Sequence, residues 1–192
     1  MPKAIRTFIA VEISPAIRTR LVAMQQELAS TAQEVKWVEE ENLHVTLKFL
    51  GQVDEREVYA VCRLVQEAVA GQAPFDMTVA GIGAFPNANR PRVLWAGVTA
   101  GGPELIQIHG HLERALRAEG YPREDRPYTP HITLGRIRQI KPNPQLAAAL
   151  EQHRDWDVGQ KQVREVLVMA SQLSSGGPHY TVMGRGALAV PV

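Results

Sequence analysis

Two short segments hold the residues best suited to chemistry. "NLHVTLKFLG", residues 42 to 51, sets His44 and Thr46 on either side of Val45, and "PHITLGR", residues 130 to 136, sets His131 and Thr133 on either side of Ile132. Side chains alternate across a strand, so each histidine shares a face with its threonine while Val45, Leu47, Ile132 and Leu134 point into a core. Imidazole titrates near pH ~6.5, so two histidines in one site supply a neutral base and a protonated acid near neutrality. Two threonine hydroxyls beside them donate to the non-bridging oxygens of an anion. In-line displacement at a phosphodiester needs this set: a base on one side of phosphorus, an acid on the other, and donors for the charge between. Lys48 has the parity of His44 and Thr46 and adds an electrostatic candidate. One H-x-T on a half-exposed strand is usually structural. Two copies, each followed by leucine and each near a basic residue, Lys48 or Arg136, point to function.

Elements that position the motifs follow from periodicity. "IRTFIAVEI" reads as a strand ending at Ser14-Pro15, an N-cap with proline at the first helical position, and Ile17, Leu21, Met24 and Leu28 continue at helical spacing. After the first His-Thr strand a helix is expected from Asp54, with Glu57 at its third position and an apolar stripe of Val58, Val61, Val65 and Ala68. "FDMTVAGIGAF" and "RVLWAGV" read as strands around the turn-rich "PNANRP". A helix from Pro103 carries Leu105, Ile108, Leu112 and Leu116 on one face, and the second His-Thr strand follows. A short alanine-rich helix near residues 144 to 152 and two strands, "VREVLVMAS" and "HYTVMGRGALAV", complete the chain. The class is α+β or mixed α/β.

The element order repeats: strand, helix, His-Thr strand, helix, strand. His131 lies 87 residues after His44, and "WAGV" from Trp95 lies 87 after "FIAV" from Phe8. Duplicated architecture follows, with halves at about 5–83 and 92–192 in a single two-lobed domain over 1–192. A pseudo-twofold axis then brings the second strand of each half to the centre and both histidines to one cleft. Pseudo-symmetry leaves open which is acid and which is base.

Composition narrows the setting. With 192 residues, 45% hydrophobic, the chain buries a sizeable core and folds alone. Net charge is +1, from 21 basic and 20 acidic residues, which excludes a broad field for wrapping long nucleic acid and makes any such contact local. No apolar stretch suits a signal peptide or membrane span, so a cytoplasmic location is expected. Cys62 is the only cysteine, which excludes internal disulfides and a thiolate metal cage and leaves it a packing role on a helix.

At the two motifs the chain resembles the two-histidine phosphoesterase superfamily, and within it the RNA 2',3'-cyclic phosphodiesterases, also called the LigT-like or 2'-5' RNA ligase family. "KWVEEENLHVTLKFLG", "GIGAFPNANRPRVLWAGV", "RPYTPHITLGRIR" and "GPHYTV" are similar to segments of that family in the same order and span most of the chain. The resemblance implies an α+β bilobal LigT-like fold, two pseudo-symmetric β-α-β-α-β halves around a central cleft. It implies metal-independent hydrolysis of a terminal 2',3'-cyclic phosphate to a 2'-phosphomonoester, with 2'-5' ligation as the reverse-type activity. His44 becomes the proton donor to the departing 3'-oxygen and His131 the acceptor that activates water. Thr46 and Thr133 match the phosphate-binding threonines, Arg136 a phosphate-holding arginine, and Phe49 an aromatic that lies against a base. Phe49 and Arg136 each stand five residues after their histidine, an odd offset on a continuous strand, with Gly51 and Gly135 as places to bend. No metal and no cofactor are expected, since two histidines and two hydroxyls without a carboxylate make a poor ligand set. The implied partner is an RNA or oligonucleotide end bearing the cyclic phosphate, met by a monomer with no obligate protein partner.

Other polar residues read as structural. His109 and His111 stand two apart on a helix and diverge, so packing or surface roles are expected. His153 and His179 lack chemical neighbours in sequence, "GRG" at 184 to 186 reads as a turn, and "NANRPR" at 87 to 92 as a solvated loop. Two rivals share the motif set: a non-catalytic RNA-end-binding module, and a phosphodiesterase acting on ADP-ribose 1'',2''-cyclic phosphate or another cyclic nucleotide.

Overall fold

The computed structural model describes residues 4–32, 34–139, 141–174 and 177–189. Its elements are β1 (Ala4–Glu12), α1 (Pro15–Ala29), β2 (Val35–Trp37), a 3-10 turn (Glu40–Asn42), β3 (His44–Asp54), α2 (Val58–Val69), β4 (Phe75–Phe85), β5 (Val93–Val98), α3 (Gly102–Ala118), β6 (His131–Ile137), α4 (Pro144–Gln152), β7 (Asp157–Val163), β8 (Glu165–Ser174) and β9 (Gly177–Ala187). Local chemistry sets several boundaries. Ser14 Oγ accepts from the Ile17 amide at the start of α1, and Asn143 Oδ1 does the same for Leu146 in α4. Asp54 does not open α2: its carboxylate accepts from the Arg56 amide in a tight turn, and the helix begins at Val58. The buried stripe of α2 closes on Val69 rather than Ala68.

All strands join one curled antiparallel sheet in the order β7-β4-β5-β6-β3-β1-β8-β9, with β2 paired to β6. The two His-Thr strands meet at the centre through one ladder pair, Val45 with Ile132, positions related by the same offset of 87 as the histidines. The pseudo-twofold axis therefore passes through this pair. Along this path four strands lie on each side, β3-β1-β8-β9 and β6-β5-β4-β7, and β2 is a fifth on the β6 side. These sets do not follow chain order. α1, from the first half, packs on β6 and β7, whereas α3, from the second, packs on β3 and α2; β4 joins β5, and β8 joins β1. Exchange of elements makes one continuous hydrophobic core of both halves.

Pairing corrects one landmark. Phe8 of β1 is opposite Phe49 and Val93 of β5 is opposite Arg136, so the first strands correspond at an offset of 85 rather than 87. The difference is one pleat, which keeps each residue on its face. Glycines 184 and 186 form no turn. They lie within β9, where a Cβ at Gly184 would overlap Cys62 and one at Gly186 would crowd Val69, so they admit α2 against the sheet. Cys62 is buried there, as its packing role requires. Val190, assigned to the last strand by its pattern, lies outside the described residues. Among the described residues no helix is long and apolar enough to cross a membrane.

Candidate active site

β3 and β6 share the single ladder pair Val45–Ile132, and the residues that flank it, His44 and Thr46 on one strand and His131 and Thr133 on the other, are half-buried while Val45 and Ile132 are buried. The two histidines are mounted alike. His44 Nδ1 donates to the Asn42 carbonyl at 2.6 Å, and His131 Nδ1 to the Thr129 carbonyl at 2.7 Å, each two residues upstream. A carbonyl only accepts, so Nδ1 keeps its proton in both charge states and Nε2 is the nitrogen that exchanges one. His44 Nε2 lies 2.9 Å from Thr46 Oγ1. The neutral ring accepts from that hydroxyl and the cation donates to it.

Aromatic rings pack around both imidazoles. His44 sits 5.0 Å from the Phe8 ring and edge-on to Tyr180 at 5.5 Å, and His131 lies edge-on to Phe85 at 5.0 Å. Burial among these groups is the main reason both imidazoles are held below their ordinary pKa. The carbonyl bonds oppose the shift, while the charge of His131 lowers His44 and that of Arg136 lowers His131. Burial also raises the Tyr180 phenol above its usual value.

Strand parity resolves at two bulges. In the β1–β3 ladder Ile9 is opposite Lys48 and Ala10 opposite Thr46, which leaves Leu47 unpaired; in the β5–β6 ladder Leu94 is opposite Gly135 and Trp95 opposite Thr133, which leaves Leu134 unpaired. Each extra residue reverses the alternation. Phe49 and Arg136 are thereby returned to the exposed cleft side with their histidines, despite the odd offset. The reversals that carry Phe49 and Arg136 fall at Leu47 and Leu134; past Phe49, β3 shifts register again at Leu50, beside Gly51 at φ +74°, as expected of a bend there, whereas Gly135 stays in ladder with Leu94. The Leu47 bulge also removes Lys48 from the cleft. Its side chain is buried on the helix side, where it pairs with Glu113 of α3 and donates to the Pro122 carbonyl at 2.9 Å. Lys48, a substrate-contact candidate by parity alone, is a structural cation.

A groove of about 650 Å³ leaves the cleft at Phe49 and Arg136 and runs between β2 and the β8–β9 hairpin. Arg6 and Lys36 add cations to it, and Trp37 and Tyr180 add rings. Asn42 ties this groove to the mount of His44: its carbonyl holds Nδ1, and its side-chain amide donates to the Pro178 carbonyl at 2.7 Å. Phe8, Tyr180 and Phe85 escape a reading by motif because they come from other strands with no local pattern, and Asn42, two residues before His44, escapes it because only the fold brings Pro178 to its side chain. The remaining candidates follow their structural readings. His109 stacks on Tyr128, His153 Nε2 meets Glu27 at 2.7 Å, and His179 is exposed. In the loop at 87 to 92, Asn87 caps the amides of Asn89 and Arg90. Among the described residues no group of three or more His, Cys, Asp or Glu is placed to hold a metal ion.

A model of the LigT-like phosphoesterase family matches the chain twice, over residues 11–95 and 98–180. The sequence is similar to the RNA 2',3'-cyclic phosphodiesterase of Methanothermobacter thermautotrophicus, 36% identical over 183 residues that span 93% of this chain and 96% of the relative. It is also similar to the protein of that name from Aquifex aeolicus, 32% identical over 182 residues, 94% of this chain and 96% of the relative. Among solved structures, one from Thermus thermophilus superposes with a TM-score of 0.78 at 28% identity, covering 96% of this chain and 98% of that one. E. coli LigT complexed with 3'-AMP superposes with a TM-score of 0.76 at 26% identity, covering 97% and 99%.

Proposed function

The chain belongs to the LigT-like phosphoesterase family, and on that premise we propose that it is an RNA 2',3'-cyclic phosphodiesterase that opens terminal cyclic phosphates to 2'-phosphomonoesters. One observation carries the chemistry: two imidazoles on adjacent central strands, each with Nδ1 held by a carbonyl and Nε2 left to exchange a proton. His131 Nε2 takes a proton from water as its oxygen bonds to phosphorus. His44 Nε2 gives a proton to the 3'-oxygen as the P–O3' bond breaks. Thr46 and Thr133 donate to the non-bridging oxygens, and Arg136 supplies positive charge beside them. With the 5'-hydroxyl of another RNA end in place of water, the same two transfers form a 2'-5' bond. Phe49 offers a face for the terminal base, and the groove beyond it has the cations and rings that suit the adjoining strand. Both halves act as one two-lobed catalytic unit, a cytoplasmic monomer in this reading, on RNA ends bearing the cyclic phosphate.

The test is incubation with an oligonucleotide ended by a 2',3'-cyclic phosphate, with and without EDTA, followed by identification of the phosphate position. A 2'-phosphate formed equally in both is expected, because the donor set lacks a carboxylate for a metal. A 3'-phosphate product, or activity lost on chelation and restored by a divalent ion, would refute the mechanism. Tight binding without turnover would make the protein an RNA-end-binding module, and turnover confined to ADP-ribose 1'',2''-cyclic phosphate would change its substrate. His44→Ala and His131→Ala should each lose roughly 10² to 10⁴ in rate. A substrate with a better 3'-leaving group should rescue His44→Ala alone; rescue of His131→Ala alone would exchange the roles.

A further inference from the structure

β3 and β6 carry the two motifs yet share one ladder pair, while the other neighbours along the sheet run in longer ladders. The line between them is the weakest in the sheet, and catalysis across it needs two imidazoles at fixed separation. The segment 119–130, which joins α3 to β6, is tied back to β3 at two points. Lys48 Nζ donates to the Pro122 carbonyl, and the Tyr128 hydroxyl donates to the Thr46 carbonyl at 2.9 Å. Thr46 bears the hydroxyl that meets His44 Nε2, and Tyr128 precedes Thr129, whose carbonyl holds His131 Nδ1. One phenol thus links the mounts of both histidines. Its ring lies flat on His109, with centroids 4.3 Å apart and planes within 10°. His109 Nε2 is buried without a hydrogen-bond partner, 3.9 Å from Glu113 and 3.8 Å from Glu124, so no directed bond accounts for its place; it acts as a flat support. The position 87 residues before Tyr128 is the exposed Glu41, so the first half has no matching phenol.

We propose that Tyr128, supported by His109, is a positioning residue that sets the distance and angle between His44 and His131 across the β3–β6 line. It touches neither substrate nor reacting atoms, and the inference rests on the two histidines being the acid–base pair. Removing its hydroxyl leaves the fold and the cleft residues in place while the two Nε2 atoms lose their common reference. Misplacement of about 1 Å costs on the order of 10²-fold in a proton-transfer step, with little effect on substrate affinity.

Tyr128→Phe should therefore lower kcat by roughly 10- to 100-fold with KM within about twofold. His109→Ala should reproduce that loss, and His109→Phe, which restores a flat ring, should recover most of it. A second readout needs no turnover: imidazole titration by NMR in the free protein. The two histidines repel when both are charged, which splits their apparent pKa values, and Tyr128→Phe should draw those values closer together. A merely structural role would lower the melting temperature and leave kcat and the titrations of the folded protein unchanged. That outcome, or a loss confined to KM, overturns the proposal. Failure of the wild-type protein to turn over the cyclic phosphate would strike the activity, whereas unchanged titrations in Tyr128→Phe would strike this inference alone.

Discussion

Replacing Lys48 by methionine tests whether the Leu47 bulge has turned this residue from the cleft into the interior. The Lys48 side chain is 1% exposed and that of its partner Glu113 15%. Met preserves most of the apolar stem and deletes the charge, which leaves the Glu113 carboxylate and the Pro122 carbonyl without their donor. Breaking a buried pair at one partner costs about 3–5 kcal/mol. Glu113 retains some water, so the lower end applies, about 3 kcal/mol. In a chain of this size about 1 kcal/mol shifts Tm by roughly 2–4 °C, which predicts a fall of about 6–12 °C. The measurement belongs near pH ~8, well above the ordinary imidazole pKa, since His109 Nε2 lies 3.9 Å from Glu113 and would compensate it if protonated. Lys48→Met with Glu113→Leu removes both charges and should recover the stability of the native protein or exceed it. A cleft-facing lysine would behave differently: Tm would barely move, KM for an oligonucleotide would rise, and the dependence of log KM on log salt would flatten by about 0.7. Either a Tm change below about 2 °C or such a flattened salt slope would refute the placement.

Three further outcomes follow from the site. His44 and His131 are depressed chiefly by burial; in the proposed acid–base roles, a depressed base moves the acidic limb down in pH, and a depressed acid moves the alkaline limb down too. The bell in kcat/KM, which reads the free enzyme, should therefore peak on the acid side of about 6.5, and the bell in kcat should lie higher because bound phosphate favours both imidazolium forms; a kcat/KM maximum above pH ~7.5 would contradict this. Arg136→Ala should raise KM about tenfold or more through loss of a charge-assisted contact to phosphate, with Arg136→Lys recovering part of it, and an unchanged KM would remove Arg136 from the substrate. A Cβ at Gly83 would overlap the Trp95 indole, which sits opposite Thr133, so Gly83→Ala should destabilise by about 1–3 kcal/mol in chemical denaturation and lower activity as well; a neutral result would show that the indole can yield.

Much of this molecule is legible in its sequence because local patterns determine it. Helical stripes such as Leu105, Ile108, Leu112 and Leu116 are buried as their spacing requires. The H-x-T repeats name both histidines and both threonines, since alternation on a strand is a property of the backbone itself. Non-local pairing hides the rest. β7, "DVGQKQV", has two separated valines and a glycine and exists as an edge strand through its ladder with β4. The exchange of α1 and α3 between the lobes leaves no mark in the order of elements. A bulge depends on the register of a partner strand, so no single-strand pattern shows that Leu47 and Leu134 carry one, and parity alone sends Lys48 to the cleft and Phe49 and Arg136 away from it. Sequence determined which residue types could do the chemistry; tertiary pairing decided which of them share the cleft side, because a bulge reverses the alternation for the residues that follow it, as at Phe49 and Arg136.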